Sequence, residues 1–161
     1  DLSTDNIGYD SSNTDVIDTW QPATALDLFK YELKSNENAF TTAVQTSRDN
    51  GTTFFEQTLQ ISLKKQDQAM HKNIKLLAYG RPRIIVRTMT DQFFLMGLAQ
   101  GCDTTAGEIS SGAAMGDFNG YKLTFVASEV LPANFIDVSS EATLIVAFAT
   151  SGGDSAVIKT N

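Results

Sequence analysis

The clearest periodicity in the chain lies between Thr53 and Leu63, where Phe55, Gln57, Leu59, Ile61 and Leu63 alternate with Phe54, Glu56, Thr58, Gln60 and Ser62. A period of two sends successive side chains to opposite faces of a pleated strand, so this segment predicts a half-buried strand with one wet face. The pattern then turns helical. Gln66 to Leu77 is built from good helix formers, with Met70, Ile74 and Leu77 spaced along one helix face. Asp67 near its start and Lys72 and Lys75 further on suit the helix dipole, and Gly80 and Pro82 end it. Arg83 to Met89 and Gln92 to Leu98 are rich in β-branched and aromatic residues and predict two strands joined by a short hairpin at Thr90-Asp91. Asn119-Gly120 is a tight-turn signal that leads into an alternating strand from Tyr121 to Ala127. Beyond the break at Pro132, the continuous apolar run Ala142 to Ala149 reads as a central strand. A Gly-Gly turn then precedes Ala156-Val157-Ile158, which has the composition of an edge strand.

The remaining segments are less regular. Residues 1 to 22 are rich in Asp, Ser, Asn and Thr, with Leu2, Ile7, Tyr9, Val16, Ile17 and Trp20 at no fixed period. They read as an extended arm, and Trp20 with its aliphatic neighbours implies that the arm orders by packing on the domain or on another subunit. Residues 25 to 33 fit either a strand, with Leu26, Leu28, Lys30 and Glu32 on one face, or a helical turn bearing Leu26, Phe29 and Leu33. The polar stretch 36–52 and the segment Gly101 to Gly120, which holds five glycines, read as long loops. Loops of that length carry function or meet a partner. The count is five to seven strands against one clear helix. This is a mainly-β chain: an antiparallel β-sandwich or barrel with one flanking α-helix, organised as an arm (1–22) and a single β-rich domain (23–161).

Charge changes the picture more than composition does. At 161 residues the chain is long enough for one domain with its own core, and no apolar run approaches the roughly 18 residues of a membrane helix. Its start has neither an initiating Met nor a signal-peptide pattern, which predicts processing or further residues upstream. Cys102 is the only cysteine, so the expectation is a small, half-buried apolar residue in a reducing compartment. The net charge of −7 is unevenly distributed: residues 1–63 carry ten acids against three bases, and 88–161 carry eight against two. Between them Lys64, Lys65, Lys72, Lys75, Arg81, Arg83 and Arg87 face only Asp67. Such a segment complements acidic faces, within the subunit or on a neighbouring copy. A nucleic-acid groove fits less well, because the whole molecule repels phosphate and no aromatics are interleaved with the cations.

Candidate chemistry is sparse. One His and one Cys, 31 positions apart, do not make a transition-metal site, and His71 beside an apolar stripe reads as a surface or partly packed residue. No calcium-loop pattern is present, and the glycines between strands do not form a phosphate loop. Asp103, Glu108 and Asp117 share one loop and would support acid–base work only if they converged. The expectation is a non-enzymatic protein with no catalytic, cofactor-binding or metal-binding residues and no cofactor.

A resemblance gives that expectation content. Thr53 to Leu59, the lysine-rich helix with Leu76-Leu77-Ala78, Ile84-Ile85-Val86-Arg87, Phe93 to Gly97, Gly101 to Gly107, Ala114-Met115-Gly116-Asp117 through Phe125, and Pro132-Ala133-Asn134-Phe135 together resemble small virion proteins of tailed phages and prophages of Bacteroidetes. Within that group the likeness is to a tail tube or tube-like ring subunit. It covers about half the chain and carries no catalytic residues. It implies a structural virion protein in the phage tail, assembled in the host cytoplasm. Its copies would form stacked, hexameric rings and would also meet other tail proteins, with no role for a membrane. DNA would pass through an acidic lumen as non-sticking cargo. The inter-subunit contacts expected on this reading are Trp20, Lys64, Lys65, Lys72, Lys75, Arg81, Arg83, Arg87, Asp103, Glu108 and Asp117, with the arm and both long loops making stacking contacts. The alternatives are a neck, connector or baseplate protein of the same virion, or a monomeric carbohydrate-binding β-sandwich presenting Phe54, Phe55, Phe93, Phe94 and Tyr121 to solvent.

Overall fold

A computed structural model describes residues 7–20, 27–148 and 157–160. In chain order these form β1 (Ile7–Tyr9), β2 (Val16–Trp20), β3 (Asp27–Lys30), β4 (Ala39–Ser47), β5 (Thr52–Lys64), α1 (Gln68–Tyr79), β6 (Ile84–Arg87), β7 (Phe93–Met96), β8 (Asp103–Ser110), β9 (Gly120–Glu129), β10 (Asn134–Ile136), α2 (Glu141–Ala147) and β11 (Val157–Thr160). The chain is mainly β with no closed barrel among the described residues. It divides into two compact units, one drawn from Asp1–Tyr31, Ile85–Leu95 and Asn134–Asn161, the other from Glu32–Ile84 and Met96–Ala133. Within the stretch 1–22 that the sequence reads as an arm, the described residues 7–20 carry β1 and β2, which pair antiparallel in the first unit.

The second unit is built on an antiparallel sheet of order β4-β5-β9-β8. The alternation seen in the sequence sets its register: Leu59 faces Phe125, Ile61 faces Leu123 and Leu63 faces Tyr121, and all six side chains are buried. Helix α1 adds Ile74 to this core, with Met70, Asn73 and Leu77 half-buried beside it. Gly80 closes the helix by donating to the Leu76 carbonyl. The expected dipole pairing is absent, since Asp67 stands at the N-cap without a side-chain bond and the last turn has no cation. Gly120 opens β9 where a Cβ would run into the Leu63 carbonyl, so the close approach of β5 and β9 requires glycine there.

Both predicted long loops contain strands. β4 occupies most of 36–52 and pairs with β5 along its whole length, and β8 occupies the first half of 101–120 and pairs with β9. As edge strands, exposed on both faces for most of their length, they show no burial period for a sequence pattern to carry.

The first unit carries a five-stranded sheet of order β1-β2-β10-β7-β6. Thr90-Asp91 does form the predicted hairpin, with the Thr88 amide donating to the Gln92 carbonyl and Asp91 in the left-handed region at φ 59°. Ile17, Phe93, Leu95 and Ile136 are buried in this unit, and Trp20 packs against Phe148 with ring centroids 4.7 Å apart. The segment 25–33 resolves to a strand over Asp27–Lys30, which pairs in parallel with β11. The run Ala142–Ala149 is helical over Glu141–Ala147, not a strand, and the chain thus has a second helix. Ser140 accepts from the Thr143 amide while the Thr143 hydroxyl accepts from the Ser140 amide, a reciprocal cap that starts the turn. Leu144 and Phe148, four apart, point inward while Val146 is 70% exposed, the burial pattern of a helix.

Candidate assembly surfaces

The residues expected at subunit contacts separate into three groups. Trp20 is 2% exposed and belongs to the core of its own unit, so its large ring is not available to a partner. The three arginines are engaged within the chain. Arg81 pairs with Asp103 at 3.0 Å, and Arg83 donates to the Leu98 carbonyl. Arg87 bridges Asp91 and Glu141 at 2.7 and 3.0 Å, and its guanidinium lies 5.7 Å from the Phe93 ring. Glu141 also takes Lys30 at 2.8 Å; the Lys30 ammonium first, and then Arg87, hold its carboxyl below the usual carboxylate range. Lys64, Lys65, Lys72 and Lys75 are exposed, and none of them has an ion-pair partner.

The three acids of the former loop do not all converge: Glu108 and Asp117 line one pocket together with Lys122, and Asp103 lies apart from it. Asp103 is on Arg81, and Glu108 stands opposite Lys122 across the β8–β9 pair. Asp117 is turned back on its own loop, where the amides of Ala114 and Ala113 donate to it and hold its carboxyl below the usual range. Lys122 is itself held by Glu37 at 3.0 Å and lies over the Phe118 ring. No group of three or more His, Cys, Asp or Glu that would hold a metal occurs among the described residues. His71 is exposed on α1, its ring 6.2 Å from that of Tyr121.

Cys102 is fully buried. Burial first, and then the charge of Glu129, push its thiol up to about 12. Glu129 accepts from the amides of Ala99 and Gln100, and Gln57 spans the amide of Gly97 and the carbonyl of Leu131. These buried polar groups pin the 97–102 turn to the β5–β9 sheet, which is structural work rather than chemistry. Of the aromatics that a sugar platform would use, Phe93 and Tyr121 are core residues, so the five do not form one exposed surface.

Sequence reasoning missed two exposed surfaces, the edges β4 and β8 of the four-stranded sheet. β4 offers nine residues with no charge and no proline, the features by which edge strands are normally protected. On its core-facing side Phe40 is half-buried and Val44 is 60% exposed. At the opposite edge Ile109 on β8 is 52% exposed, and Leu76 and Tyr79 on the adjoining helix α1 are 63% and 84% exposed. The signal in the sequence was Thr and Val enrichment in 41–46 and Thr104-Thr105, a β-propensity without alternation. No helix among the described residues is long and apolar enough to cross a membrane. No protein-family model matches the chain, and no curated protein or solved structure is significantly similar to it.

Proposed function

We propose that the chain is a structural virion protein, the subunit of a phage tail tube, whose copies join edge to edge into closed, stacked rings around a channel for DNA. The observation that carries this reading is the four-stranded antiparallel sheet with two open edges, one of them free of charge. Strand direction alternates across β4-β5-β9-β8, and the number of strands is even. A second copy placed in the same orientation therefore presents β4 antiparallel to the first copy's β8, and the ladder continues without a fault. Because the two edges differ, the contact is head-to-tail and repeats until a ring closes.

Side chains support the same pairing. Ile109, Leu76 and Tyr79 beside one edge, and Phe40 and Val44 beside the other, extend the apolar layer past the boundary of the isolated chain. Burying a large apolar side chain is worth about 1.5–3 kcal/mol, so the four exposed ones, Ile109, Leu76, Tyr79 and Val44, yield at most roughly 6–12 kcal/mol. Association itself costs on the order of 4–15 kcal/mol. A single contact is thus close to break-even, and stable assembly depends on ring closure and on concentration. The acidic flanks of the sequence fit a passage that phosphate does not adhere to.

Light scattering and electron microscopy of the purified chain test the proposal: rings or tubes are expected at high concentration, and a strictly monomeric protein refutes it. Proline at the β4 edge sharpens the test. Successive strand residues direct their N–H groups to opposite sides, so of Ala43→Pro and Val44→Pro one loses a bond to β5 and the other only an outward donor. The variant that keeps the native fold is expected to remain monomeric.

A further inference from the structure

The central basic segment is divided by the fold. Its arginines are satisfied inside the chain by Asp103, the Leu98 carbonyl, Asp91 and Glu141. Its lysines are not. Lys64 and Lys65 at the end of β5 and Lys72 and Lys75 on α1 are all exposed and have no ion-pair partner; Asp67 is the one acid in their stretch of chain, and Asp117 lines a pocket with Lys64 and Lys65. The opposite charge is concentrated elsewhere. The first 20 residues hold five aspartates and no Lys or Arg. Among the described ones, Asp15 and Asp18 are exposed and Asp10 is half-buried, and none of the three has an ion pair.

We infer that the exposed lysines of one copy, Lys64, Lys65, Lys72 and Lys75, dock the aspartate-rich N-terminal segment of a second copy. The inference rests on the self-assembly reading and specifies a contact that the sheet edges do not provide. A matched set of four cations and up to five anions favours a short acidic segment over a long polyanion, for which the surrounding surface of a −7 chain is repulsive. No Phe, Tyr or Trp is interleaved with these lysines along the chain, as base stacking on a basic stretch would need. Between exposed charges such a contact is screened by salt, so it selects and orients the partner while the sheet edges hold it.

Charge exchange between two variants provides the test. One variant carries Lys72→Glu and Lys75→Glu, the other Asp15→Lys and Asp18→Lys; all four positions are exposed, and circular dichroism and urea unfolding check that both fold as the parent does. Each alone sets like charges against each other, and the concentration needed for assembly is expected to rise by at least about tenfold. Mixed in equal amounts, the two variants restore opposite charges across every junction between unlike copies, and alternating assembly is expected to return to the parental concentration. Rescue on mixing requires contact between copies, because pairing within one chain would stay broken in both. Variants that assemble as well as the parent, or a mixture no better than its components, overturn the inference while leaving self-assembly intact. Failure of the parent itself to assemble sinks both. Retention of a DNA duplex by the parent, lost in the lysine variant, overturns it in favour of a polyanion ligand.

Discussion

Replacing Gln57 with leucine probes whether buried polar bonds, rather than apolar packing alone, fix the turn that carries Cys102. Gln57 is 2% exposed on the core face of β5. Its Oε1 accepts from the Gly97 amide at 3.1 Å and its Nε2 donates to the Leu131 carbonyl at 3.3 Å. Leucine matches the volume and removes both bonds. The Gly97 amide is then left buried without an acceptor, which costs about 1–3 kcal/mol, and the Leu131 carbonyl loses a bond worth about 0.5–1.5 kcal/mol. Greater apolarity recovers a fraction of this, so the net loss is about 2–3 kcal/mol, or a fall in melting temperature of roughly 4–12 °C for a chain of this size. Gln60→Leu is the control, because Gln60 lies on the same strand with its side chain exposed on the other face, where substitutions stay within about 0.5 kcal/mol. Calorimetry of both variants, with amide exchange followed across residues 97–102, reads the difference. Equal melting temperatures for the two, or unchanged exchange at Gly97, would refute the assignment of a pinning role to Gln57.

Two further outcomes concern titration. Because its thiol is pushed up to about 12, Cys102 is protonated at pH 8 and is expected to resist thiol reagents in the native protein and to react fully in urea. The raised value also contributes stability that is complete below the ordinary value of 9.0 and is lost as pH climbs from there toward 12. Cys102→Ala should flatten that alkaline loss, and an unchanged slope would exclude the thiol as its source. Glu141 behaves with the opposite sign. Its carboxyl is held below 4.5 by Lys30 and Arg87, so its contribution is present above that value and disappears as pH falls through the lowered one. Glu141→Gln is expected to be less stable than the parent at pH 7, with the difference shrinking as pH falls below 4.5, measured by urea midpoints. A constant difference across that range would show that the ion pairs are not responsible.

The acidic N-terminal segment and the basic centre of the chain were visible as a charge pattern, yet their roles were not. Along the chain the seven cations form one group. The fold places the three arginines on internal acceptors and leaves four lysines open, a distinction set by which side chains lie near Asp103, Leu98, Asp91 and Glu141 in space. The same holds for Trp20, whose size marked it as a contact residue and whose neighbour Phe148, distant in sequence, makes it core.

What the sequence determined by itself were the elements with a long periodic run, the wet-and-dry alternation of β5 and β9 and the stripe of α1, and the hairpin marked by its turn residues at Thr90-Asp91. Periodic burial is a local property, so it is written in neighbouring residues. Only the tertiary structure decided the rest. Edge strands β4 and β8 are defined by backbone bonds to β5 and β9 while their side chains face water, so no period announces them. The apolar run in α2 was compatible with strand or helix until the Ser140–Thr143 cap and the inward side chains of Leu144 and Phe148 selected the helix. Pairing between distant segments made the open edges on which the proposed assembly depends.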